Sequence, residues 1–304
     1  MNYAKSLAFI AALLLAGLVV GLIALPTAHA DEAATKAAEL IAQARAALGD
    51  ATKLKALTIT GDYRRKSGKM DMSGDLQLDI LLPDKLMQTE VFSPMGGIDV
   101  TRYQTLNGAT TWTDTANTGG GHVMMINSAS VKGGGLSQQA ALDLALKIDM
   151  SRTLLGLLLT APASVPVEFR HAGIAESPDG KADVLEMKSG ETTIGKLFLD
   201  QKTHQPWMIS YQGRQRLTMT TSMSSGEMPT KEELEKRARE AAAAAEAAPM
   251  VEYQLRFSDF RNEGGLNLPH RFTKLAGEDI VDEWELKKFK LNPSLKPEQF
   301  EKKK

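Results

Sequence analysis

From Met70 to Leu82 apolar or small residues (Met70, Met72, Gly74, Leu76, Leu78, Ile80, Leu82) alternate with polar ones (Asp71, Ser73, Asp75, Gln77, Asp79). A period of two over this length requires a strand with one buried and one solvated face, the mark of an antiparallel sheet. Noisier segments of the same kind precede and follow it at about 56–66, 85–93, 98–106 and 109–114. Short turns such as Leu82-Pro83-Asp84 and Asn107-Gly108 join them, so the pattern is a meander.

Further strands are predicted at about 165–175, 182–189, 192–200, 206–212, 214–223, 250–260, 266–276 and 279–291. Helical spacing covers 32–49, where Ala33, Ala37, Leu40, Ile41, Ala44 and Leu48 line one face and Gly49 ends the run. Ser137 is placed to cap a helix at 138–147 and Ser151 a second at 152–159. The second, Leu154-Leu155-Gly156-Leu157-Leu158-Leu159, is apolar on nearly every side and must be covered on most of its surface. A short helix or tail is expected at Lys296–Lys304. The fold class is therefore α+β, mainly β, with about a dozen antiparallel strands.

Two segments interrupt the meander. Gly119-Gly120-Gly121 and Gly133-Gly134-Gly135 flank His122-Val-Met-Met-Ile126, a composition suited to an open loop or a hinged flap. An insertion at 224–249 contains Thr230 and Glu233 in capping-box register and i,i+4 pairs Glu232/Lys236, Glu233/Arg237 and Glu235/Arg239. A helix over 230–248 would span about 28 Å with a thin apolar face, and reads as a solvated arm.

Residues 1–30 combine an early Lys5, an apolar run from Leu7 to Leu25 and the small-residue end Ala28-His29-Ala30. This is the form of a cleaved secretory signal, which leaves 31–304 as a single domain in the periplasm; the alternative is an uncleaved anchor in the inner membrane.

Composition removes several functions. With no cysteine in 304 residues there is no disulfide, thiolate nucleophile or cysteine-ligated metal. A net charge of −1 gives no field for nucleic acid. His122, His171, His204 and His270 show no metal-ligand spacing, and Asp71, Asp75 and Asp79 share the polar face of one strand. No nucleophile–base pair or phosphate loop can be named, so no catalytic residues, metal or cofactor are expected and the chain reads as a non-enzyme.

The apolar faces of the predicted strands are bulky: Ile59 and Tyr63; Leu76, Leu78 and Ile80; Met87; Leu197 and Leu199; Trp207; Tyr253, Leu255 and Phe257; Trp284. They form either a core packed by the 154–159 helix or the lining of an apolar ligand site, to which the chain's 14 methionines add adaptability.

Several segments carry a resemblance. The helix end Ala46-Ala47-Leu48-Gly49, the strand Leu57-Thr-Ile-Thr-Gly-Asp-Tyr63, and Leu197-Phe-Leu-Asp-Gln-Lys-Thr-His-Gln-Pro-Trp207 are among them. The others are Phe260-Arg-Asn-Glu-Gly-Gly-Leu-Asn-Leu-Pro-His270, Lys290-Leu-Asn-Pro293 and Phe300. Together these resemble the LolA/LolB-like superfamily of outer-membrane lipoprotein-sorting proteins. The resemblance implies a curved antiparallel half-barrel with lid helices on its concave face, holding a lipid or the acyl chains of a lipoprotein. The residues named above would line the cavity. Met124, Met125, Leu154, Leu155 and Leu158 would form the lid, and Arg64 or Arg65 would latch it. Membrane-associated donor or acceptor proteins would be partners. The alternative is an interaction or sensor module with a filled cavity that contacts a partner through the 230–248 helix. The extra length and the insertion depart from a minimal carrier.

Overall fold

The computed structural model describes residues 26–67, 70–95, 98–117, 138–178, 180–215, 230 and 247–302, with 232, 233, 236, 239, 240, 243 and 244. The glycine-flanked segment with Met124 and Met125, the Ser137 cap and most of the predicted 214–223 strand lie outside these residues.

Twelve antiparallel strands form one sheet: β1 Ala56–Ser67, β2 Met70–Leu81, β3 Lys85–Met95, β4 Ile98–Asn107, β5 Thr110–Asn117, β6 Glu168–Ser177, β7 Gly180–Ser189, β8 Thr192–Asp200, β9 Pro206–Arg214, β10 Met250–Glu263, β11 Leu266–Ala276 and β12 Asp279–Leu291. Their order is β5-β4-β3-β2-β1-β12-β11-β10-β9-β8-β7-β6, two meanders joined where β1 pairs with β12. The sheet is curved and unclosed, the expected mainly-β half-barrel.

Helices α1 (Pro26–Leu48) and α2 (Gln138–Leu158) pack on this sheet. α2 touches β4 and β5 at one side of the sheet and β9 and β11 at the other. One helix reaches both because the sheet wraps around it. Predicted as two helices, α2 is one: Ser151 does not cap, but donates from its hydroxyl back to the Lys147 carbonyl at 2.8 Å, and Thr153 does the same to Asp149 at 3.2 Å. α1 begins at Pro26, so cleavage after Ala30 would fall inside it. No helix among the described residues is long and apolar enough to cross a membrane.

The inner face carries the core. Leu40, Ile41, Ala44 and Leu48 of α1 and Leu154, Leu155, Leu157 and Leu158 of α2, with Leu159 just beyond it, bury against Leu57, Ile59, Leu78, Ile80, Leu86, Leu106, Leu185, Leu197 and Ile209 of the sheet. The outer face is covered at one end by a 3-10 turn, Pro297–Phe300, that packs on β3 and β4. Phe300 is fully buried, and its carbonyl accepts from Trp112 Nε1 at 2.8 Å. Asp79 is expected on a solvated face together with Asp71 and Asp75. It is buried instead, and accepts from Thr58 Oγ1 at 2.6 Å.

The motif segments are turns held by side chains. Asp200 Oδ1 accepts from the Lys202 backbone at 2.9 Å and from Thr203 Oγ1 at 2.9 Å, and Asn262 Oδ1 accepts from the Gly265 backbone at 3.2 Å.

Candidate apolar-ligand site

Cross-strand register fixes which side chains share the inner face. Ile59 pairs with Leu78, Leu57 with Ile80, Ile80 with Leu86 and Leu86 with Leu106, giving an apolar floor across four strands. A second floor runs Leu255–Ile209–Leu197–Leu185 through β10, β9, β8 and β7. Between them lies an aromatic row, Phe257–Phe272–Trp284–Tyr63, each residue opposite the next. Phe257 meets Phe272 edge-on at 4.9 Å and Phe272 stacks on Trp284 at 5.5 Å.

α2 lies directly on this row. A Cβ at Gly156 would come within 2.1 Å of the Phe257 ring, so glycine alone allows the helix to approach this closely. The cleft where α1 meets α2, beside Leu48, Gly156, Leu159 and Phe260, has a volume of about 10 Å³. That is room for one water, not for an acyl chain. The inner face is occupied by the chain's own helix.

Of the residues proposed for the cavity, Ile59, Tyr63, Leu76, Leu78, Ile80, Leu197, Leu199, Tyr253 and Phe257 are buried, as are the lid residues Leu154, Leu155 and Leu158. Leu255, Trp284 and Trp207 are half-buried, with Trp207 beside Gly180 at the β6–β7 turn. Met87 is placed differently from the expectation. It pairs with Asp79 and Thr105 on the outer face, while Leu86, Gln88, Glu90 and Phe92 point inward. β3 alternates ambiguously, and the wrong parity was the more apolar.

The candidate latches also fall elsewhere. Arg64 is exposed and pairs with Asp71 on the outer face. Arg65 points inward but bonds to the sheet rather than to a helix: Nη1 and Nη2 each donate to Glu90 at 2.9 Å, and Nη2 to Asp282 at 2.7 Å. The bonds that fasten α2 come from residues not singled out in the sequence. Arg45 of α1 donates to the Leu159 carbonyl, where the backbone turns to φ 50° at the helix end. Arg152 Nε donates to the Ile194 carbonyl at 2.8 Å while its guanidinium lies 3.4 Å from the Tyr211 ring centre. Lys147 Nζ and Thr111 Oγ1 tie the other end of α2 to the β4–β5 hairpin. Each fastening ends on a backbone carbonyl.

Arg65 belongs to an ionic band that crosses the inner face. Glu90, fully buried, is shared by Arg65 and Arg102 and accepts from Gln88 Nε2 at 2.6 Å. Burial alone would raise the Glu90 carboxyl, but the two guanidiniums override it and hold it down at about 2. Asp282 is raised, because burial and the Glu90 charge outweigh Arg65. Arg102 is lowered by burial, and the Arg65 charge adds to this. One signal was available in the sequence: in β4, Val100-x-Arg102-x-Gln104-x-Leu106 places a charge and an amide in register with residues that can only face inward.

No protein-family model matches the chain, and no curated protein matches it in sequence. Solved structures do resemble it. The LolA superfamily protein NE2245 from Nitrosomonas europaea is 10% identical with a TM-score of 0.42, over 88% of this chain and 97% of that one. An outer membrane lipoprotein-sorting protein domain from Vibrio parahaemolyticus is 12% identical with a TM-score of 0.47 over the same shares, 88% and 97%. A DUF1329 family protein from Desulfovibrio piger is 10% identical with a TM-score of 0.48, again over 88% and 97%.

Proposed function

We propose that this protein is a non-catalytic carrier of apolar chains, of a lipid or an acylated lipoprotein, that acts in the periplasm and holds its cargo on the inner face of the sheet when α2 moves away. One observation carries the reading: two apolar floors joined by an aromatic row are covered not by a second sheet but by two helices, and α2 is fastened there through a few side chain to carbonyl bonds. Burying the five leucines of 154–159 contributes on the order of 10 kcal/mol, and an acyl chain offers about 0.8 kcal/mol per buried methylene. A membrane-length chain can therefore replace the contacts of α2 at little net cost.

A second reading has its own support. The cleft beside α2 has room for a single water, which suits a module whose cavity is permanently filled. Among the described residues of the insertion, Thr230 and Glu233 form the capping box, with Glu233 N donating to Thr230 Oγ1 at 3.3 Å, and Glu232, Lys236, Arg239 and Glu240 are exposed, as an arm would require.

Native mass spectrometry on protein purified from periplasm without detergent separates the two. Extra mass that disappears on solvent extraction supports the carrier. A clean mass with no uptake of added lipid, together with partner capture lost on deleting 230–248, supports the module.

A further inference from the structure

The ionic band does not balance. Among the described residues of this band, Arg65, Arg102 and Lys274 stand against Glu90 and Asp282; Arg152 is matched separately by Asp149 at 2.7 Å. The surplus is located at Lys274. Asp282 is its direct cross-strand neighbour on β12, but its carboxylate bonds to others: Oδ2 accepts from Arg65 at 2.7 and 3.1 Å and Oδ1 from Trp284 Nε1 at 3.1 Å. Among the described residues Lys274 makes no ion pair. Its half-buried ammonium instead faces two stacked tyrosines, 5.6 Å from the ring centre of Tyr211 and 5.3 Å from that of Tyr253. A second donor is also unused, since the buried Nε of Arg102 has no acceptor.

An ammonium has three donors, and ring faces compensate its charge only in part. Beside it on β10 and β9 begins the apolar floor, with Leu255 opposite Lys274 and Ile209 opposite Leu255. The inner face thus offers a cation at the end of a hydrocarbon-lined surface. Resting on the carrier reading, we propose that the cargo is an amphiphile with an anionic head group, which Lys274 receives while the chain lies where α2 now packs. The head group can be a carboxylate or a phosphate.

The test uses the delipidated full chain and four probes of equal chain length: palmitate, hexadecyl phosphate, hexadecanol and hexadecyltrimethylammonium. Both anions should bind the wild type more tightly than the alcohol, and the cation least. The tighter anion names the head group. Lys274→Gln should weaken the anions roughly tenfold, the scale of one charge-assisted contact, and leave hexadecanol unchanged, while Lys274→Arg restores the anions. Equal binding of anions and alcohol by the wild type would overturn the proposal without involving any variant. So would a Lys274→Gln protein that loses all four probes equally while other lysine variants do not. Binding of none of the probes would remove the carrier reading itself, a different failure from binding without charge preference.

Discussion

The guanidinium of Arg45, on α1, donates twice to the carbonyl of Leu159, at 3.3 Å through Nε and 3.1 Å through Nη2. The carbonyls in the last turn of a helix have no partner within it, so this bond closes the end of α2 against α1. Arg45→Met keeps most of the apolar stem and removes both donors. A loss of about 1–2 kcal/mol in unfolding free energy is expected, with faster hydrogen exchange of the amides at 154–158. Unchanged exchange there would mean that apolar packing alone holds α2.

Gly156 sits against Phe257 with no space for a methyl group. In an open helix, Gly→Ala stabilises by roughly 1 kcal/mol, but forcing a ring aside in a packed core costs about 1–3 kcal/mol. Gly156→Ala should therefore lower the melting temperature, and Gly156→Ala with Phe257→Leu should recover part of the loss. A rise in melting temperature for the single variant would contradict the close approach of helix and aromatic row.

Glu90 gives a pH signature. Its folded-state value, about 2, lies below the ordinary glutamate value near 4.3, so it contributes stability that is complete above the unfolded value and lost as pH falls toward 2. The size is on the order of 3 kcal/mol. Urea midpoints measured from pH 6 down to pH 2 should fall for the wild type more steeply than for Glu90→Gln. The variant should be the less stable protein near neutral pH, where Arg65 and Arg102 lose the carboxylate they share. Parallel pH profiles would show that the band contributes nothing to stability.

Much of the architecture is legible in the sequence because the sheet obeys simple rules. β2 alternates from Met70 to Ile80, and Ala56 to Arg65 on the neighbouring β1 continue the pattern; Asp200 with Thr203 and Asn262 with Gly265 mark turns through local hydrogen bonds that need no distant partner. What escaped the sequence depends on long-range contact. Asp79 is an acidic residue on a polar face, and its burial beside Thr58 of β1, whose hydroxyl donates to it, depends on the pairing of two strands. Met87 is the more apolar choice on β3, but burial of Glu90 becomes tolerable only once Arg65 and Arg102, from two other strands, converge on it. Ser151 has the chemistry of a helix cap and instead bonds back into a helix that continues. Arg45 carries no signal in the sequence of α1, and its role comes from where the end of α2 arrives.

Because Leu78 and Ile80 are fully buried, charging either would unfold the sheet and say nothing of cargo. The movement of α2 is a cleaner target, and a chain without cysteine allows a single defined disulfide. The most direct measurement is uptake of a fluorescent acyl chain by a Gly156→Cys, Phe257→Cys double variant, oxidised and then reduced, with the bridge verified by mass. Uptake by the reduced form and none by the oxidised form is expected if the cargo takes the place of α2. Equal uptake by both forms, or none by either when the wild type also takes up none, would contradict a carrier whose own helix fills its site.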